Sequence, residues 1–275
     1  MISVLLITSL ALMVIGGVLR SHRLTLQTTV QQVQHLHLRQ AALAAESRAM
    51  QLLQDSVSGA GETTHLAQAW AMSPQGFRLP DLDVRLSIED LGGRFNLTHL
   101  AVPESVDDVY ALRWFRLLNA LDIEPFDLSA LKTQPFSNAA QLQQIPGLRP
   151  SDLQHLLPWI AVLPRDAALN VNTAPAQVLA SLEGMTTASA LELIRQRPSE
   201  GYPDAAAFVG SATVDGLGIS PHGLGVRSRW FRITAEVGLA DSRMTMVSDL
   251  ERVANTQRLR IIQRRLLSPA QGSIP

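Results

Sequence analysis

The sequence predicts an α+β protein: a long N-terminal helix packed on an antiparallel sheet, with a large helical domain inserted between the strands. Three observations carry this. Residues 24–58 run without proline or glycine, as one long helix requires. Period-two alternation appears at 84–89 and again at 230–235, two sheet signals far apart in the chain. Between them, from about Pro103 to Gly225, short helical patterns follow one another, separated by prolines.

Composition narrows the function classes. The chain has 275 residues, 46% of them hydrophobic, ample for one large core or two smaller ones. Its 23 Lys and Arg nearly balance 24 Asp and Glu, for a net charge of -1. No overall field draws in nucleic acid. With Cys 0, disulfides, thiolate metal sites and cysteine nucleophiles are excluded together.

The first element is "MISVLLITSLALMVIGGVLR", in which Ile2 to Leu19 carry no charge. As a helix this run reaches roughly 27 Å, close to the hydrocarbon thickness of a bilayer. It can span. A secretion signal would have a basic start and a small-x-small cleavage site, whereas here Arg20, Ser21, His22 and Arg23 follow directly. Leu6, Leu10, Met13 and Gly17 fall on one helical face and form a candidate contact surface for partner helices. The helix then continues, and Leu36, Leu43, Met50 and Val57 recur every seven residues. That stripe reads as the face packed on the protein's own sheet. Gly59 and Gly61 end it.

Val84, Leu86 and Ile88 alternate with Arg85, Ser87 and Glu89 as a strand with one buried face, and Gly92-Gly93 breaks it in a sharp turn. Arg94 is placed to pair with Glu89 or Asp90, while Phe95 and Leu97 re-enter the core. In "DDVYALRWFRLLNAL", Asp107-Asp108 open a helix, with Val109, Leu112, Trp114, Phe115 and Leu118 largely on one side. At the far end Trp230, Arg232 and Thr234 alternate with Phe231, Ile233 and Ala235; "GLADS" turns and "RMTMVSDLERV" returns as a hairpin. "TQRLRIIQRRLL" suits either a last strand or an amphipathic helix, and "SPAQGSIP" reads as a frayed tail.

Two stretches of the middle, "AAQLQQIPGLRPSDLQHLLPWI" and "APAQVLASLEGMTTASALELIRQR", each read as helix, tight turn, helix. The second resembles helix-hairpin-helix modules, which present backbone N–H groups to a DNA phosphate. Yet Glu183 and Glu192 surround its turn, and the nearest cations are Arg195 and Arg197. A phosphate site needs donors and positive potential together, so structural use is the stronger reading. Asn172 or Thr173 can cap the following helix, with Pro175 in its first turn. No catalytic motif stands out. His35 and His37 project about 200 degrees apart on a helix, poor geometry for one metal.

In order along the chain, the apolar start, "HLRQAALAAESRAMQLL", "AQAW", "IEDLGGRFNL", "WFRLLNAL" and "LNVNTAPAQVL" resemble the K-type minor pseudopilins of bacterial type II secretion. "DLGGRFNL" followed by "LNVNTA" is the specific part. The resemblance implies a prepilin cut by prepilin peptidase, with a pilin-like head carrying an inserted helical domain. It implies a single-pass inner-membrane protein with a periplasmic C-terminal domain, and contact with inner-membrane lipid and the inner-membrane assembly platform. It further implies assembly with I- and J-type subunits at the tip of a pseudopilus that exports proteins across the outer membrane. Such prepilins have a basic leader ending in glycine; Met1 stands in that glycine's place, so Ile2 is the expected mature N-terminus. Most pilins carry glutamate where this chain has Leu6, a departure K-type subunits share. A subunit with none above it has no terminal amine to neutralise.

Family members carry an acidic calcium-binding segment. Here "LDIEPFDLSALKTQPFSNAAQL" is short and acid-poor, so calcium is not carried over and no cofactor or metal is expected. Nor is an enzymatic activity, a small-molecule substrate or nucleic acid. The boundaries read from these patterns are 1–23 for the transmembrane and assembly helix, 24–100 for the first part of the head, 101–225 for the inserted domain, 226–267 for the last head strands and 268–275 for a flexible tail. A membrane-anchored DNA-binding protein using the hairpin units is the rival reading.

Overall fold

The computed structural model describes residues 2–58, 63–72, 75–79, 82–100, 108–126, 139–240, 242–253, 256 and 258–267. Helix α1 (Ile2–Ser58) is continuous over 57 residues, about 85 Å at the usual rise. Its hydroxyls do not interrupt it: Thr25 and Thr29 donate back to the carbonyls of Ser21 and Thr25. Among the described residues no helix is long and apolar enough to cross a membrane. The run Ile2–Leu19 lies inside α1 with only part of its side chains described.

The C-terminal part of α1 lies on a five-stranded sheet in the order β1-β2-β7-β8-β9. Its strands are β1 (Gln75–Leu79), β2 (Leu82–Asp90), β7 (Trp230–Leu239), β8 (Ser242–Arg252) and β9 (Leu259–Leu267), all pairs antiparallel. The α+β class is as the sequence predicts. The final segment resolves as a strand, and β1 had no period-two signal to announce it. Val84, Leu86 and Ile88 are buried under α1, as their alternation requires.

The helix face differs from the heptad reading. The buried line is Leu38, Ala42, Ala45, Ala49, Leu52 and Leu53, spaced three and four apart. Leu36 is half exposed, two residues before the buried line begins; Leu43 and Met50 border it. The side chain of Val57 lies outside the described residues. Alanines decide this: with only a methyl group to accommodate, they let the helix axis approach the sheet more closely than leucines would. One charge enters the layer. Glu46, 3% exposed, accepts from Ser248 at 2.7 Å and from Arg264 on β9 at 2.6 and 2.8 Å, so the buried carboxylate is hydrogen-bonded and paired.

Between β2 and β7 the chain builds a helical layer. It contains β3 (Phe95–Asn96), α2 (Asp108–Ala120), α3 (Pro150–Leu156), β4 (Ile160–Ala161), β5 (Leu169–Asn170), α4 (Ala176–Leu179), α5 (Thr187–Gln196), α6 (Ala205–Val209) and β6 (Leu224–Gly225). Two-residue parallel pairs, β3 with β4 and β5 with β6, stitch it. Its own core includes Leu97, Leu117, Leu142, Leu156, Leu179 and Phe208, and shares no residue with the core under α1. On α2 the buried face is Arg113, Trp114, Leu117 and Leu118, whereas Leu112 and Phe115 point outward. An arginine displaces the expected apolar residues because Glu183 and two carbonyls await it on the inner side.

Candidate assembly surface and its polar joint

The expected contact residues all belong to α1. Leu6 and Met13 are exposed, and Gly17 has open space where a Cβ would stand. The side chain of Leu10 lies outside the described residues, as does Met1; Ile2 is the first residue of the helix and is exposed. Exposed apolar residues continue past the uncharged run, through Leu24, Leu26, Val30, Val33 and Leu36. Among the described side chains of α1, those on one face from Leu38 onward are sheathed by the protein's own sheet and the apolar ones before it are bare.

The second feature joins the two cores, and the two most specific sequence motifs meet there. Asp90, the last residue of β2, is 5% exposed. Its carboxylate accepts from the Gly92 N–H at 2.7 Å, from Asn170 Nδ2 at 2.8 Å and from Thr173 Oγ1 at 2.6 Å. Asn170 Nδ2 also donates to the Thr64 carbonyl at 3.0 Å. Thr64 in turn donates its N–H to the Val226 carbonyl at 2.8 Å, and its hydroxyl accepts from the Ser228 N–H at 3.1 Å. Four separate stretches of chain are therefore tied into one network, with the Asp90 carboxylate bonded to two of them. Burial raises its pKa above the ordinary value, with the hydrogen bonds pulling the other way.

Gly92 and Gly93 serve this joint by lacking a side chain. A Cβ on Gly92 would lie 2.3 Å from Ser228 Oγ, and one on Gly93 would lie 2.9 Å from Thr173 Oγ1. Space, not a left-handed backbone, demands glycine here. Arg94 then pairs with Glu89 through two bonds of 2.6 Å and donates to the carbonyl of Leu157 at 3.2 Å. Asn96 holds the next turn, accepting from the Leu163 N–H at 3.0 Å and donating to the Pro164 carbonyl at 3.0 Å. Arg229 bridges the two layers, donating to Asp166 at 3.1 Å and to Glu251 at 2.7 Å.

Asn172 and Thr173 do not cap α4, contrary to the capping expectation; the residue before that helix is Pro175, which has no side chain able to cap. Both are spent on other segments. Thr173 turns to Asp90, while Asn172 accepts from the Tyr202 N–H at 2.7 Å and donates to the Tyr202 carbonyl at 3.0 Å. A buried backbone without a ladder partner needs such a side chain.

The hairpin α4–α5 keeps its turn occupied from within. Gly184 adopts φ +64, and a Cβ there would meet the Leu217 carbonyl at 2.8 Å. Glu183 binds Arg113 through two bonds of 3.1 Å, and Arg113 also donates to the carbonyls of His222 and Ser220, each at 2.8 Å. Of the two nearby cations, Arg195 pairs with Glu192 at 2.6 Å. Arg197 turns inward to the carbonyls of Asn172 and Ala174 at 2.8 and 2.9 Å, and burial pushes its guanidinium down to about 10. The two cations nearest the turn are thus committed internally, and a phosphate site needs positive potential as well as donors. Among the described residues no group of three or more His, Asp or Glu gathers as metal ligands.

Sequence reasoning located both motifs and missed their meeting. The signal it could have used is a polar residue at an inward position: Asp90 shares the parity of Val84, Leu86 and Ile88 on β2, and Asn170 stands between Leu169 and Val171.

A long helix packed by its C-terminal part on an antiparallel sheet, with a helical domain in a sheet connection, is a pilin-like α+β architecture. Over residues 169–227, which hold the Asn170–Thr173 side of the joint, the sequence matches the family model for type II secretion system protein K. Similar proteins include type II secretion system protein K of Pseudomonas aeruginosa, 28% identical over 100% of this chain and 93% of the relative. The K protein of Klebsiella pneumoniae is 26% identical over 96% and 94%. A chain in the crystal structure of the GspK-GspI-GspJ complex from enterotoxigenic Escherichia coli shares the fold, with a TM-score of 0.73 at 20% identity, covering 87% of this chain and 99% of that one. Along its length the chain is similar to type II secretion system protein K.

Proposed function

We propose that this minor pseudopilin takes its place at the tip of the secretion pseudopilus, joined there to I-type and J-type subunits. Its apolar helix, starting at Ile2 after processing by prepilin peptidase, is held first in inner-membrane lipid at the assembly platform and later against partner helices. Head and inserted domain stand in the periplasm, with the insertion spanning 101–225. The observation that carries this reading is the bare half of α1, where Leu6, Met13, Leu19, Leu26 and Val33 are all exposed. An apolar stripe that long is covered in the working protein, by lipid or by other helices. The titratable groups at the joint and hairpin are engaged in holding segments together, so the role is structural, not catalytic, and calls for no cofactor.

The test is co-purification of the full chain in detergent with I- and J-type pseudopilins. A stable complex is expected; failure to recover one sinks the tip reading. A filter-binding assay at low salt addresses the DNA rival. No salt-sensitive retention of DNA is expected, because Arg195 and Arg197 are already engaged.

A further inference from the structure

We propose that the Asp90 cluster is an alignment lock: it fixes the attitude of the inserted helical domain relative to the head, and assembly with partner subunits depends on that attitude. The inference rests on the pseudopilin reading above and goes beyond it by assigning a positioning role to a named group.

The argument begins with what lies between the two cores. They share no residue, and the apolar material at their boundary is the small cluster Leu91, Ala161, Leu163, Ala167 and Trp230. Apolar contact is non-directional: it holds two bodies together with little preference among nearby angles. Hydrogen bonds to a carboxylate weaken steeply away from linear geometry. At Asp90 three such bonds converge, two of them from the Asn170–Thr173 loop of the inserted layer. Through Asn170 the same cluster reaches Thr64, which follows α1, and through Thr64 it reaches Val226 and Ser228, where the chain returns to the sheet. A hinge between the bodies would have to pass through these connections. The cluster ties them together, and Gly92 and Gly93 let them approach closely enough for the bonds to form.

Partner subunits that touch both the head and the insertion can do so only when the two are correctly angled. An unlocked subunit spends part of its time in other attitudes, and its apparent affinity falls by that fraction.

The absence of cysteine makes the test clean. Spin labels at Arg85→Cys on the exposed face of β2 and Ala188→Cys on α5 report the distance between the bodies in the full chain in detergent. One narrow distance distribution is expected in the parent. Asp90→Ala is expected to broaden it and to weaken co-assembly with I- and J-type subunits about tenfold or more. Thr173→Val removes one donor and keeps the shape; it is expected to broaden the distribution less and serves if Asp90→Ala does not fold. Near-ultraviolet circular dichroism, largely unchanged, shows that both cores remain packed. An unchanged distribution in a folded variant overturns the lock. A broadened distribution with undiminished co-assembly overturns the dependence of assembly on it. If the parent itself forms no complex, the pseudopilin reading has failed, and the distance measurement still judges the lock.

Discussion

The two halves of α1 are one helix built to opposite purposes. From Leu38 to Leu53 its inward apolar positions are alanines and leucines buried against the sheet; from Ile2 to Leu36 the apolar side chains among the described residues are exposed. Both halves are rich in apolar residues, and side-chain size separates them: alanine is frequent only in the buried half. Small residues mark where the helix meets its own chain at close range, and large outward ones mark where it meets something else.

Core substitutions break this comparison most sharply. Leu53 is fully buried, so Leu53→Ala should cost the subunit about 2–5 kcal/mol. Ala45 is equally buried, and Ala45→Leu should cost about 1–3 kcal/mol by forcing helix and sheet apart. Leu26→Ala, in the bare half, should stay within about 0.5 kcal/mol while weakening the complex with partner subunits. Urea unfolding of each variant measures the first three effects. Equal destabilisation by Leu26→Ala and Leu53→Ala would show that both halves serve the subunit's own fold.

A smaller effect is expected where charge enters the buried half. Arg264→Met leaves the Glu46 carboxylate with Ser248 alone. A loss of about 1–3 kcal/mol follows from the unsatisfied acceptor, below that of a severe core cavity because the Arg264 side chain is itself 41% exposed. Adding Glu46→Gln to Arg264→Met should recover part of it, since a neutral side chain is easier to bury. Absence of any recovery would mean that Arg264 acts by packing its stem and not by neutralising charge.

How much of this could be read beforehand depends on the range of the interaction. β2 and the β7–β8 hairpin were legible because alternation is local: Val84, Leu86 and Ile88 announce one buried face without reference to anything distant. The face of α1 differs from the heptad reading because Leu36, Leu43 and Met50 are conspicuous and alanines are not, although alanines form half of the buried line. On α2 the same bias put Leu112 and Phe115 inside, when Arg113 takes the inner side to reach Glu183, 70 residues away. The joint was illegible in detail for the same reason. Asp90 and Thr173 are separated by 83 residues, and a local reading gives each a local task, a turn for one and a helix cap for the other.

The finest test of the comparison concerns the joint, where a buried carboxylate is held by hydrogen bonds and not by an arginine fork of the kind that holds Glu46. Burial raises the folded-state pKa of Asp90 above the ordinary 3.8. The folded protein therefore holds that proton more tightly than the unfolded chain does. By linkage, the contribution of Asp90 is fully present below the unfolded pKa and is lost as pH rises through the folded one. Other carboxylates titrate in the same range, so the informative quantity is the difference in unfolding free energy between the parent and Asp90→Asn. Asparagine has nearly the same shape and does not ionise. Measured by urea unfolding from about pH 4 to about pH 7, that difference should shift against the parent as pH rises. A difference that moves in the parent's favour would mean that the three hydrogen bonds outweigh burial and that Asp90 is held as a carboxylate, which would make its kinship with Glu46 closer than its surroundings suggest.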